Sequence, residues 1–213
     1  MPLDMPKTQH YDRIGLWMLV VVIIITAAVF FWTRGHFQHA DTSLNTHMDA
    51  QGHLQVLGIS LGETTLTEAE YILKSKSDVA LYIYPQGNLK AGRKLEAFFP
   101  AIADHTKIIL LLKLPVKDLD QIEARASIPH LYPNQVARMN LAAKDRSALN
   151  HAVIDALTLI PNLTLTADNI KARFGKPDSL QHMENYDVYQ YKKIGLSVQL
   201  HQDEPSSLYF SNF

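Results

Sequence analysis

The chain has no cysteine. Disulfides are therefore impossible, and so is a lipoprotein anchor, which needs a cysteine to carry its lipid; the redox compartment stays open. A surplus of either charge is also missing. From Gly35 onward, 17 Lys and Arg stand against 19 Asp and Glu, which gives none of the clustered basic surface that nucleic acid requires. No P-loop, dinucleotide fingerprint, H-E-x-x-H pair or EF-hand loop occurs anywhere. No catalytic, cofactor-binding or metal-binding residue is assigned from motifs, and no nucleic acid, cofactor or small-molecule ligand is expected.

What the chain does have is one long apolar run, Ile14–Thr33, reading IGLWMLVVVIIITAAVFFWT. It carries no formal charge and is bracketed by Arg13 and Arg34. As a helix it would extend about 30 Å, the thickness of a bilayer's hydrocarbon core. Trp17 and Trp32 stand near its two ends, where interfacial aromatics are expected. A cleaved signal peptide has a shorter apolar region and a small-x-small site, whereas this run closes on Val29, Phe30, Phe31 and Trp32. The reading is an uncleaved transmembrane helix with no small-xxx-small seam for dimerisation. Lys7, Arg13 and the amino group precede it, against Arg34 alone just after it. That bias predicts a cytoplasmic amino terminus and a body on the far side of a bacterial inner membrane, in the periplasm.

The expected organisation is thus a cytoplasmic tail (residues 1–13), a transmembrane helix (14–33), a polar spacer (34–53), a first α+β module (54–126) and a second (127–213). The spacer is aperiodic and holds His36, His39 and His47, with His53 at its edge. An unstructured tract supplies neither the fixed geometry nor the outer hydrogen bonds of a ligand set, so these histidines read as tether rather than metal site.

Beyond the spacer, HLQVL predicts a short strand, and Thr67 with Glu70 predicts a capping box opening a helix over 68–73, with Leu66 and Tyr71 as its hydrophobic staple. DVALYIY (78–84) and KLEAFF (94–99) read as strands. KIILLLKL (107–114) reads as a strand covered on both faces. Leu119, Ile122 and Ala126 fall at helical spacing, and Pro129 and Pro133 mark a turn. QVARMNLA predicts a strand, AKDRSALNHA a helix and VIDALTLI a strand. A second helix should follow Leu165 and Thr166, with Ile170 as staple partner, and stop at Gly175 ahead of Pro177. YDVYQY, GLSVQLHQ and SLYF then complete a β meander. Thr65-Leu66-Thr67 and Thr164-Leu165-Thr166 repeat one device ahead of β-rich sequence, the basis for expecting two similar modules.

A glycine-containing lead-in, a short capped helix and a three-stranded antiparallel sheet resemble the small α+β modules of bacterial envelope proteins of the SmpA/BamE outer-membrane assembly lipoprotein type. The likeness lies over Thr164–Phe213, especially in RFGKPD at Arg173–Asp178, where those modules also end a helix in glycine and proline. The family's lipid-bearing cysteine is replaced here by the apolar run. Its role in barrel assembly is therefore not carried over, and no functional residue is transferred.

Gly58-Ile59-Ser60-Leu61-Gly62 matches G-x-S-x-G, the nucleophile elbow of α/β-hydrolases. In that elbow a strand turns directly into a helix at the serine, but here the expected helix starts well after Ser60. The alternating strand and long-helix pattern of a doubly wound sheet is missing too. The two glycines then serve a tight turn. His151 and Asp155 read as ordinary polar groups, and Tyr186, Tyr189, Tyr191, Tyr209 and Phe210 as sheet core, with an exposed subset as the alternative. The resulting expectation is a non-enzymatic, single-pass envelope protein, an accessory or assembly subunit of a larger membrane complex. A membrane-anchored periplasmic hydrolase using Ser60 is the alternative.

Overall fold

The computed structural model describes residues 46–49, 52–87, 90–102 and 105–212, together with helical Val22. The expected tail, the span apart from Val22 and most of the spacer fall outside the described residues. Among the described residues no helix is long and apolar enough to cross a membrane. The chain divides into two compact units, Met1–Ser43 and Leu44–Phe213, and every described strand belongs to the second.

This body is α+β and its strand pairings are antiparallel. A small sheet joins β1 (His47–Met48), β2 (Leu54–Val56) and β3 (Ile59–Ser60) in that order. Helix α1 (Leu66–Ile72) leads into β4 (Asp78–Tyr84), β5 (Gly92–Ile102) and β6 (Thr106–Lys113). Helix α2 (Val116–Arg125), β7 (His130–Leu131), β8 (Ala137–Asn140) and α3 (Ala143–Ala148) then return the chain to β9 (Val153–Ile160). Last come α4 (Ala167–Phe174), β10 (Ser179–His182), β11 (Tyr186–Tyr191), β12 (Leu196–His201) and β13 (Ser207–Ser211).

Ten of these strands form one sheet, ordered β10-β11-β12-β13-β9-β6-β5-β4-β8-β7. Strand β9 is its hinge line, paired to β6 on one side and β13 on the other. The boundary expected at 126/127 is therefore crossed by hydrogen bonds: β8 lies beyond it in sequence yet pairs with β4, Leu81 opposite Met139. A run of local patterns cannot reveal this, because β8 has no sequence feature naming its partner.

Alternation decides which side chains go inside. Val79 and Leu81 of β4, Leu95, Ala97 and Phe99 of β5, Ile108, Leu110 and Leu112 of β6, Leu157 and Leu159 of β9, and Leu208 and Phe210 of β13 share one buried cluster. Each large side chain so buried contributes about 1.5–3 kcal/mol. Strand β6 differs from expectation. Its Ile108, Leu110 and Leu112 are buried, while Ile109 and Leu111 on the other face are half-buried, so a continuous apolar run here marks one covered face and one partly covered face.

Both helices opened by threonine form, but the first is registered two residues earlier than expected. Thr65, not Thr67, caps α1: its side chain accepts from the Glu68 backbone, and Glu68 Oε2 accepts from Thr65 N at 2.8 Å. The sequence T-L-T-E-A-E offers two overlapping boxes, and tertiary contacts choose between them. The later box would occupy Glu70, which is buried and committed to Ser77, Lys76 and Arg146, while Thr67 Oγ1 donates to Asn150 O at 2.9 Å. The staple fails with it, since Leu66 is buried and Tyr71 is 85% exposed. In α4, Thr166 caps as expected, accepting from Asn169 N at 3.2 Å, and Leu165 and Ile170 both pack on the core. Gly175 ends α4 at φ 79°.

Folded structure also begins earlier than Leu54: β1 lies within the expected spacer, with His47 opposite Gln55. The final meander has four strands rather than three, because Ser179–His182 pairs with β11.

Candidate functional site

The G-x-S-x-G stretch lies beside a groove of about 610 Å³ lined by Ser60, Glu63, Thr64, Thr67, Glu68, Tyr71 and Ile72. Gly58 and Gly62 have φ values of 80° and 92° and turn the chain on either side of β3. Ser60 itself is ordinary strand. Its N–H donates to Thr64 Oγ1 at 2.9 Å, and its hydroxyl accepts from Gln55 Nε2 at 3.3 Å. Five residues separate it from the helix, against none in a nucleophile elbow. Among the described residues no histidine hydrogen-bonds to Ser60.

The rest of the groove is mainly structural. Glu68 completes the cap of α1, and the Thr65 backbone and hydroxyl donors hold its carboxyl below the usual range. Tyr71 and Ile72 form an exposed apolar wall. Glu63 is different. It stands half-exposed where the turn after β3 meets the β1–β2 turn, and its Oε1 lies 3.1 Å from His53 Nδ1. Asp49 Oδ2 lies 3.5 Å from the same nitrogen. Of the four histidines read as tether, His36 and His39 fall outside the described residues, His47 is exposed on β1, and His53 is held in this cluster.

A second surface feature lies on the free edge of the large sheet. The β7–β8 hairpin, closed by Tyr132 N donating to Val136 O at 2.9 Å, carries Ile128 at 91% exposure, Leu131 at 65% and Tyr132 at 38%. The His130 ring meets Tyr132 edge-on with centroids 5.0 Å apart. Pro129 and Pro133 flank the strand and lack donors, so a further strand is disfavoured there and contact through side chains is favoured. In the sequence IPHLYP reads only as a turn region. Its prolines are legible there, but the pairing that leaves Ile128, Leu131 and Tyr132 outside is not.

Aromatics of the last sheet are mostly interior: Tyr189, Tyr191 and Phe210 are buried, and Tyr186 stacks on His201 at 4.8 Å. Asp155 pairs with Lys113 at 3.6 Å. No protein-family model, curated protein or solved structure matches this chain.

Proposed function

We propose that this is a single-pass envelope protein, anchored in a bacterial inner membrane by Ile14–Thr33, whose periplasmic body acts by binding as an accessory or assembly subunit of a larger membrane complex. The observation that carries the reading is the apolar edge formed by Ile128, Leu131 and Tyr132. Large apolar side chains exposed along one edge hairpin are a feature of protein contact surfaces. A span would keep this edge beside other membrane proteins and raise its effective concentration there. The surroundings of Ser60 favour binding over hydrolysis, since its hydroxyl accepts from an amide and has no histidine bonded to it among the described residues.

The test is extraction of the full chain in a mild detergent, followed by identification and quantitation of what remains bound. Ile128→Ser combined with Leu131→Ser should deplete a stoichiometric partner while leaving the chain's own thermal transition in place. Ser60→Ala should leave that partner bound. Recovery of the unaltered protein as a lone monomer under several mild conditions, together with a turnover abolished by Ser60→Ala, would replace this reading with the hydrolase.

A further inference from the structure

We propose that Asp49, His53 and Glu63 bind a divalent transition-metal cation of the Zn²⁺ or Mn²⁺ kind, where the β1–β2 turn meets the turn after β3.

Three ligand-type atoms from two turns converge, all within 4.8 Å of one another. His53 Nδ1 lies 3.1 Å from Glu63 Oε1 and 3.5 Å from Asp49 Oδ2. Around a tetrahedral ion with bonds of about 2.0–2.1 Å, neighbouring ligand atoms are about 3.3 Å apart. The two measured separations straddle that value. The group therefore needs little rearrangement to close on an ion.

An independent observation concerns the imidazole. His53 Nδ1 is shut off from solvent and makes no hydrogen bond, although two carboxylate oxygens lie within contact distance. A buried nitrogen without a partner is left desolvated with nothing to offset the loss of water. A cation between the three groups supplies that partner and also offsets the repulsion of two carboxylates gathered around one ring.

The surroundings supply the support that a plain tether lacks. Asp49 Oδ1 accepts from the His53 backbone N–H at 2.7 Å, which orients the carboxylate, and Asp49 N donates to His53 O at 2.8 Å. Asn212 ties the start of β2 to the turn after β3: its Oδ1 accepts from Leu54 N at 3.2 Å, and its Nδ2 donates to Leu61 O at 3.0 Å. Gly62 N donates to Ile154 O at 2.8 Å, joining the second turn to β9. Such outer hydrogen bonds hold ligands in place before the ion arrives. One imidazole with two carboxylates suits Zn²⁺, Mn²⁺ or Fe²⁺, while Ca²⁺ and Mg²⁺ favour all-oxygen sets. Glu63 is half-exposed, so the solvent side of the cluster stays open to water.

The full chain, purified in mild detergent, stripped with a chelator and titrated separately with Zn²⁺ and Mn²⁺, should take up one ion per chain and gain thermal stability. Glu63→Gln and Asp49→Asn should each weaken affinity about tenfold or more, and His53→Ala should abolish it. His36→Ala combined with His39→Ala should leave it unchanged. Far-ultraviolet circular dichroism and the metal-free transition of each variant report folding separately, and Glu63→Gln, a near-isosteric change in an exposed turn, should match the parent in both. Absence of stoichiometric uptake at millimolar metal overturns the proposal. So does uptake that survives Glu63→Gln and His53→Ala but is lost with His36 and His39.

Discussion

The sheet has two flanks, one on either side of β9, and they are held together differently. On the β6-to-β7 side, carboxylates are buried among the packing elements. Glu70 accepts from Lys76 Nζ at 2.7 Å, from Ser77 Oγ at 2.8 Å and from Arg146 Nη2 at 2.8 Å, joining α1 to α3. Asp145 takes both ends of Arg125, at 3.0 and 2.6 Å, joining α3 to α2. Nearer the surface, Arg93 binds the exposed Asp120 and the partly exposed Glu123, joining β5 to α2. Glu96, also buried, accepts from Tyr84 on β4. On the β13-to-β10 side, none of the described buried residues is charged. Tyr189, Tyr191 and Phe210 fill the space, Phe174 of α4 meets Tyr191 at 5.6 Å, and the Tyr191 hydroxyl donates to Gly175 O at 3.2 Å.

The contrast follows from connection. The first flank has three helices that leave and re-enter the sheet in a non-local order, and its paired charges tie these helices to one another and to β5. The second is a meander in which each strand pairs with its sequence neighbour. Aromatic burial suffices there.

Breaking the aromatic flank should cost most. Phe210→Ala removes a fully buried ring and should lower unfolding free energy by about 4 kcal/mol, read from urea denaturation. Gly195→Ala follows closely. A Cβ there would lie 2.4 Å from Ser211 O and 2.6 Å from Leu54 Cδ2, at φ 57°, so a loss of about 3 kcal/mol is expected by the same measurement.

The ionic flank should break differently. Glu70→Ala leaves Arg146 without its buried partner and should cost about 3 kcal/mol at pH 7. Burial opposes ionisation of Glu70, but donors from Lys76 and Ser77 and the Arg146 charge outweigh it, holding its pKa at about 2 against 4.5. A depressed carboxylate contributes stability that is present above the unfolded value and is lost as pH falls toward the folded one. Urea midpoints measured from pH 7 down to pH 2 should therefore show wild type declining below about 4.5, with the gap to Glu70→Gln closing over the same interval. Asp145 adds to this acid limb, its carboxyl lowered chiefly by the Arg125 hydrogen bonds. A gap that stays constant to pH 2 would contradict an ionic role.

The smallest effect separates the two overlapping caps. Thr65→Ala should cost about 1 kcal/mol through loss of the α1 capping box, as should Thr166→Ala in α4. Thr67→Ala, which removes only a hydrogen bond to Asn150 O, should cost less.

Much of the element order was readable from local chemistry. The β-rich run DVALYIY, the alternating residues of GLSVQLHQ, the Thr166 cap and the Gly175 stop all depend on neighbours within a turn or a strand, and all appear where the pattern placed them. Weak or very short elements were not readable. Strands β1, β7 and β10 are two to four residues long with largely exposed side chains, so no apolar alternation announces them.

The candidate sites were less legible than the fold. Ser60 drew notice through a five-residue pattern, yet its partners, Gln55 and Thr64, come from β2 and the following turn. His53 looked like part of an aperiodic histidine tract until the β1–β2 turn brought Asp49 to its ring and Glu63 closed from the other side.

By itself, the sequence determined the absence of disulfides, the apolar run at Ile14–Thr33, the α+β character and the position of most main strands, because these depend on composition and short periodicity. Only the tertiary structure decided that β8 joins β4, that Thr65 rather than Thr67 caps α1, that Glu70 is buried and that Asp49, His53 and Glu63 meet. Those outcomes turn on residues far apart in the chain competing for the same partners, and the competition is settled by burial and hydrogen bonding in the folded body.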